Sequence, residues 1–147
     1  ILMKKKLRFF LVIFVFLNFT NIVIAESNFF NEGEKKYKEK KFEDSKFLFQ
    51  RNIVFNPKDV KSYVYLAKIY NLESNEKEEE KNINTALLLE PTNEEATYML
   101  MEIKLKKSNY SKVKELSNKF EKICKNLCEK NKLILESLKS LEPKNES

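Results

Sequence analysis

The stretch FNEGEKKYKEKKFEDSKFLFQRNIVFNPKD, residues 30–59, holds two apolar patterns of helix length and closes on Pro57. Phe42, Phe49 and Ile53 are spaced so that they fall on one side of a helix. The stretch from Tyr63 to Pro91 repeats this plan 34 residues on, ending in LEP where the first ends in FNP. A 34-residue period of helix-turn-helix units predicts helix pairs that bury their faces on one another.

Outward from these two units the chain reads as helix. A first helix runs from a cap at Ser27 or Asn28 to about Lys40, with Phe29, Phe30, Gly33 and Tyr37 on one side. A second runs from Phe42 to about Phe55, with Phe42, Ser45, Phe49, Asn52 and Ile53 inward. Asp59 caps a third, whose face is Tyr63, Leu66, Ala67 and Tyr70. The charged run ESNEKEEEK, residues 73–81, reads as a turn leading into a solvated helix face. Asn75 with Glu78 opens that fourth helix, which buries Ile83, Ala86, Leu87 and Leu89. Thr92 with Glu95 makes a capping box for a fifth, along Ala96, Met99, Leu100, Ile103 and Leu105. Tyr110, Val113, Leu116, Phe120 and Ile123 mark a sixth. Asn126 with Glu129 caps a seventh, along Leu127, Leu133, Ile134, Leu138 and Leu141. The expected architecture is all-α: antiparallel helix pairs stacked as a short α-solenoid over residues 26–141, about three repeats and a closing helix. A disordered tail, 142–147, follows.

Composition excludes several classes of function. The chain of 147 residues suffices for one domain, and one Gly and three Pro leave little material for the turns of a β-sandwich. It has no His, which removes the commonest general base and most zinc sites. A single Gly rules out a glycine-rich phosphate loop. Neighbouring acids such as Glu78 and Glu79 read as surface carboxylates, not as a catalytic pair in a cleft. The expectation is a non-enzyme with no cofactor and no metal.

Lys4, Lys5, Lys6 and Arg8 precede the apolar run Phe9–Leu17, and Val23-Ile24-Ala25 follows as a small-residue exit. That three-part order predicts a secretory signal peptide over residues 1–25, with an uncleaved anchor as the rival. The mature chain is then exported, to the periplasm or beyond. Of 28 bases and 22 acids, the first 25 residues take four bases and no acid, so the remainder carries +2. So small a charge gives little support for nucleic-acid binding, and no membrane association is expected after signal removal.

Cys124 and Cys128 are the only cysteines. Exported proteins usually oxidise an even set, so a structural disulfide is the first reading. Free buried thiols and redox or metal chemistry are the alternatives. The C-x-x-x-C spacing is not that of a thiol oxidoreductase.

The stretch Phe30–Asp59 resembles a tetratricopeptide repeat. Gly33 falls where that family places a small residue between its two helices. Tyr37, Phe42, Phe49, Ile53 and Pro57 match its aromatic, aliphatic and closing-proline positions. Leu66, Ala67, Tyr70, Ala86, Leu87 and Pro91 match in a second repeat. A third keeps Leu100 and Tyr110 but has Lys125 in place of the proline. The family's small positions are filled here by Asn52, Glu79 and Phe120. Of these, Glu79 places a carboxylate at a helix contact, where it needs a partner or a path to water.

The resemblance implies a groove lined by the first helix of each repeat. The corresponding residues are Phe30, Glu34, Tyr37, Val64, Lys68, Asn71, Tyr98, Glu102 and Leu105. It implies a protein or peptide partner in that groove, although Phe30 and Glu34 occupy the places of the carboxylate-binding Lys and Asn of some members. For Tyr37 and Tyr98 the alternative is simple packing between repeats. A second reading is a structural subunit of an envelope assembly docking through its convex face or last helix. An apolar patch along Leu133, Ile134 and Leu138 would favour it.

Overall fold

The computed structural model describes residues 28–141. The expected signal peptide and tail lie outside these residues, as does Ser27. Among the described residues there are seven helices and no strand. A first helix, α1, covers 28–38. It is followed by α2 (Phe42–Phe55), α3 (Val60–Leu72), α4 (Glu76–Leu89), α5 (Glu94–Lys106), α6 (Tyr110–Ile123) and α7 (Cys128–Leu141).

The 34-residue period reappears in the backbone. Lys40, Ser74 and Ser108, each 34 residues from the next, have φ of 60°, 56° and 54°. Each ends the first helix of a pair in the left-handed conformation, although none is glycine. The hydrogen bonds recur in step. Lys41, Asn75 and Asn109 donate their N–H to the carbonyls of Lys36, Tyr70 and Lys104. Asn56, Glu90 and Cys124 donate to Asn52, Ala86 and Phe120 at the ends of the second helices. The third repeat is therefore as regular as the others, despite Lys125 where they have proline.

Contacts divide the chain after Pro57 into two compact units. In the first, α1 meets α2 at Gly33. A Cβ there would lie 3.0 Å from the Phe49 ring, so only a hydrogen fits. Ser45 donates its hydroxyl to the Gly33 carbonyl at 2.8 Å. Phe30 tilts against Phe49 at 5.6 Å, and Tyr37 meets Phe42 edge-on at 5.5 Å. Phe49, Ser45 and Asn52 are buried, as their spacing predicts.

In the second unit, α3 packs on α4, α4 on α5, α5 on α6, and α7 on both α6 and α5. One core joins Val64, Ala67, Ile83, Ala86, Met99, Leu100, Met101, Ile103, Val113, Leu116 and Phe120 to Ile134 and Leu138 of α7. Residue size trades between helices along the repeats. Gly33 and Phe49, Ala67 and Ile83, and Met101 and Ser117 are equivalent pairs on the 34-residue period. As the first-helix member grows, the second-helix member shrinks.

Several local expectations are corrected. Asn93, not Thr92, caps α5, accepting from the Ala96 N–H at 2.9 Å. The Asn93 N–H itself reaches the Glu90 carbonyl, which keeps Thr92 inside the turn. The α7 start is bonded across the fold: Glu94 of α5 accepts from the N–H groups of Asn126 and Leu127 at 3.0 and 2.9 Å. Leu89 is 37% exposed, Leu133 and Leu141 both 54%. Ile134 and Leu138 are buried, so no apolar patch runs along Leu133, Ile134 and Leu138. The charged run at 73–81 is only partly solvated. Lys104 of α5 and Lys107 just past its end both bind Glu80, and Lys107 reaches Glu76 at 2.6 Å.

Candidate functional site

Val64, Lys68 and Asn71 follow one another at helical spacing on α3, and Tyr98, Glu102 and Leu105 do so on α5. They are equivalent residues one period apart. Lys68 Nζ pairs with Glu95 of α5 at 2.7 Å. The Tyr98 hydroxyl donates to Glu102 Oε1 at 2.7 Å. Lys130 of α7 lies over the Tyr98 ring, 5.2 Å from its centroid. Residues of α5 and α7 thus meet at Tyr98, and the Lys68–Glu95 pair ties α3 to α5.

Not every expected residue faces outward here. Val64 is only 5% exposed and belongs to the core, because α3 lies close against its neighbours in the second unit. Leu105 is half-buried against the same core. Asn71 is exposed, but its amide donates to Glu79 Oε1 at 2.9 Å. In the first unit, Phe30 and Tyr37 pack within their own repeat, and Glu34 pairs with Lys38 at 3.1 Å. Lys68, Tyr98 and Glu102 remain as half-exposed polar and aromatic surface.

Sequence reasoning missed two participants. Glu95 reads locally as a capping residue, yet it neutralises Lys68. Lys130 lies on the closing helix, and no local signal aims it at Tyr98. Asn71, expected to line the groove, is instead the partner that the Glu79 carboxylate requires.

Burial and the Glu102 carboxylate push the Tyr98 hydroxyl up to about 12, so it stays protonated and serves as a donor. Among the described residues no three His, Cys, Asp or Glu side chains gather closely enough to hold a metal ion. No helix among them is long and apolar enough to cross a membrane.

Glu79 supplies a pH test. Burial raises its carboxyl above the ordinary range, opposed by the Asn71 amide and the Lys106 charge and assisted by Glu76 and Glu102. A raised carboxyl favours the folded state less as pH climbs through the window between its unfolded and folded values. Glu79→Gln keeps an acceptor for Asn71 and removes the charge. It is expected to melt higher than the parent at pH 7, with the difference vanishing below about pH 4. Thermal melts across pH check this, and a difference that persists at low pH contradicts it.

No family model matches the chain, and no curated protein matches it in sequence. Solved structures do. The TPR2B domain of yeast Sti1, in its complex with pHsp70, aligns with a TM-score of 0.73 at 11% identity, covering 81% of this chain and 99% of that one. The Yersinia enterocolitica type III secretion chaperone SycD, with a peptide of the translocator YopD, aligns at 0.68 and 13%, covering 78% and 89%. The second TPR domain of human RPAP3, with an HSP70 peptide, aligns at 0.64 and 18%, covering 79% and 93%. At these identities the likeness establishes the fold.

Proposed function

From its tetratricopeptide-repeat fold we propose that this chain is a non-catalytic adaptor that holds a protein or peptide segment against the inner faces of its first helices. The observation that carries the reading is Tyr98. It is a half-exposed ring among paired charges, at the place where repeats of this fold leave the first helix open. Aromatic side chains in such settings supply most of the binding energy at protein interfaces. The solved neighbours hold peptides, which supports the class of partner.

The cations of the candidate face are already engaged, Lys68 by Glu95 and the Tyr65 ring and Lys130 by the Tyr98 ring. That favours contacts along the body of a partner segment over capture of a terminal carboxylate. The proposed location is the cell envelope, on the strength of the basic, apolar and small-residue order of residues 4–25. The envelope-subunit alternative loses the expected last-helix patch, since Ile134 and Leu138 are buried; docking through the convex face stays the second reading.

A photo-crosslinker placed at position 98 or at position 133, exposed on α7, separates the readings in native envelope extract. Position 98 should give a defined adduct and position 133 none; the reverse would put the partner on α7. With the partner in hand, Tyr98→Ala should weaken binding by about 2 kcal/mol, roughly thirtyfold, while circular dichroism stays helical. Unchanged affinity would remove Tyr98 from the interface.

A further inference from the structure

The turn between α6 and α7 is held twice. Cys124 ends α6 and Cys128 begins α7, and a disulfide joins them with their Cα atoms 5.3 Å apart. Between them, the N–H groups of Asn126 and Leu127 bind the Glu94 carboxylate. Beyond this turn α7 buries fewer residues than α5, with Leu135 half-buried against the core and Lys130 over the Tyr98 ring. Ile134 and Leu138 enter the core, and Asn131 accepts from Ser117 at 2.7 Å and donates to Glu121 at 3.3 Å. By contrast, α5 buries Ala96, Met99, Leu100, Met101 and Ile103. Helices with few buried apolar contacts open first, in local rather than global unfolding.

Access to the bridge is asymmetric. Cys128 is exposed, and Cys124 is half-buried against the core. A thiolate therefore reaches the Cys128 sulfur without prior unfolding. Once freed, that sulfur sits in the first turn of a helix, where the dipole stabilises its thiolate and so favours the reduced form.

We propose that Cys124–Cys128 is a thiol–disulfide exchange site whose substrate is a dithiol reductant, and that it acts as a latch on α7. Oxidised, it pins the helix so that Lys130 covers the Tyr98 ring. Reduced, it lets α7 open and withdraw Lys130. In the exchange, one thiolate of the dithiol attacks Cys128 Sγ and breaks the S–S bond. The Cys124 thiolate leaves and takes a proton. The second thiol of the reductant then attacks the mixed disulfide and releases Cys128. Two electrons pass to the protein, and the reductant departs as its own disulfide.

The test compares hydrogen exchange in the oxidised full chain with the same chain in excess dithiothreitol. A Cys124→Ser, Cys128→Ser double variant serves as the permanently open form. The chain-entropy cost of closing so short a loop predicts that amides of α7 exchange about 10- to 30-fold faster on reduction, with α3 to α5 unchanged. The Tyr98 ring resonances should move with them. Unchanged α7 exchange overturns the proposal, as does a uniform rise across α3–α7 or a bridge that dithiothreitol does not reduce. Should the variant fail to fold, the dithiothreitol comparison decides alone. No partner is needed, so the outcome is independent of the binding reading.

Discussion

Replacing Phe120 by Ala is expected to destabilise the protein by about 3–5 kcal/mol, although Ala is the residue that the repeat pattern asks for at this place. The reason is a shift of bulk along the second helix. In the first two repeats the large side chain is Phe49 or Ile83, and the residue three positions on is Asn52 or Ala86. In the third the order reverses, to Ser117 and then Phe120. Phe120 is wholly buried in the core that includes Val113, Leu116, Ile134 and Leu138. Ser117 is turned to Asn131 instead. No other large side chain stands in for the lost ring, so the truncation leaves a cavity. Urea unfolding measures the effect, with an unchanged m-value as the control that both end states are retained. A loss below about 1 kcal/mol would mean that the site collapses and that the bulk has not moved.

Phe49→Ala is expected to cost a similar 3–5 kcal/mol, in the other unit. The ring is fully buried and lies flush against Gly33, where it leaves no room for a Cβ. Phe30 closes one side of it. Removing the ring empties the contact that brings α1 onto α2. Glycine opposite it cannot fill the void, because it has no side chain to swing inward. Circular dichroism at 222 nm through a denaturant titration gives the magnitude, and a change under about 1 kcal/mol would show that Phe49 is not the centre of its repeat.

How far the chain could be read beforehand depended on distance along it. The period and apolar spacing place the first six helices, capping and apolar spacing the seventh, and the spacing of Phe49, Ala86 and Phe120 places these residues inside. Glu79 reads both as a surface carboxylate and as one at a helix contact; it is buried, so the first of these readings is corrected. Its partner Asn71 lies across a turn, eight residues away, where no spacing rule for a single helix applies. The α7 start was assigned to Asn126 and Glu129 from nearby residues, whereas the stabilising acceptor is Glu94, more than thirty residues earlier. The left-handed turns at Lys40, Ser74 and Ser108 carry no glycine to announce them; only the period shows that they are equivalent. On the candidate site, helical spacing put Val64 beside Lys68 correctly but could not say which of them the neighbouring helices would cover. Thr92 and Asn93 are both competent caps, and the choice between them came from the turn geometry after Pro91.

The pairing of charges around Tyr98 has a kinetic side. Lys68 is offset by Glu95, and Lys130 and Glu102 flank the ring with opposite signs. Such a surface projects little field beyond its own side chains, so an approaching segment is neither drawn in nor turned away from a distance. Encounter is then governed by diffusion and orientation, in the range of about 10⁵–10⁶ M⁻¹s⁻¹ typical of unsteered association, and depends only weakly on ionic strength. On the proposed function, discrimination between partners at this face would rest on how long each one stays.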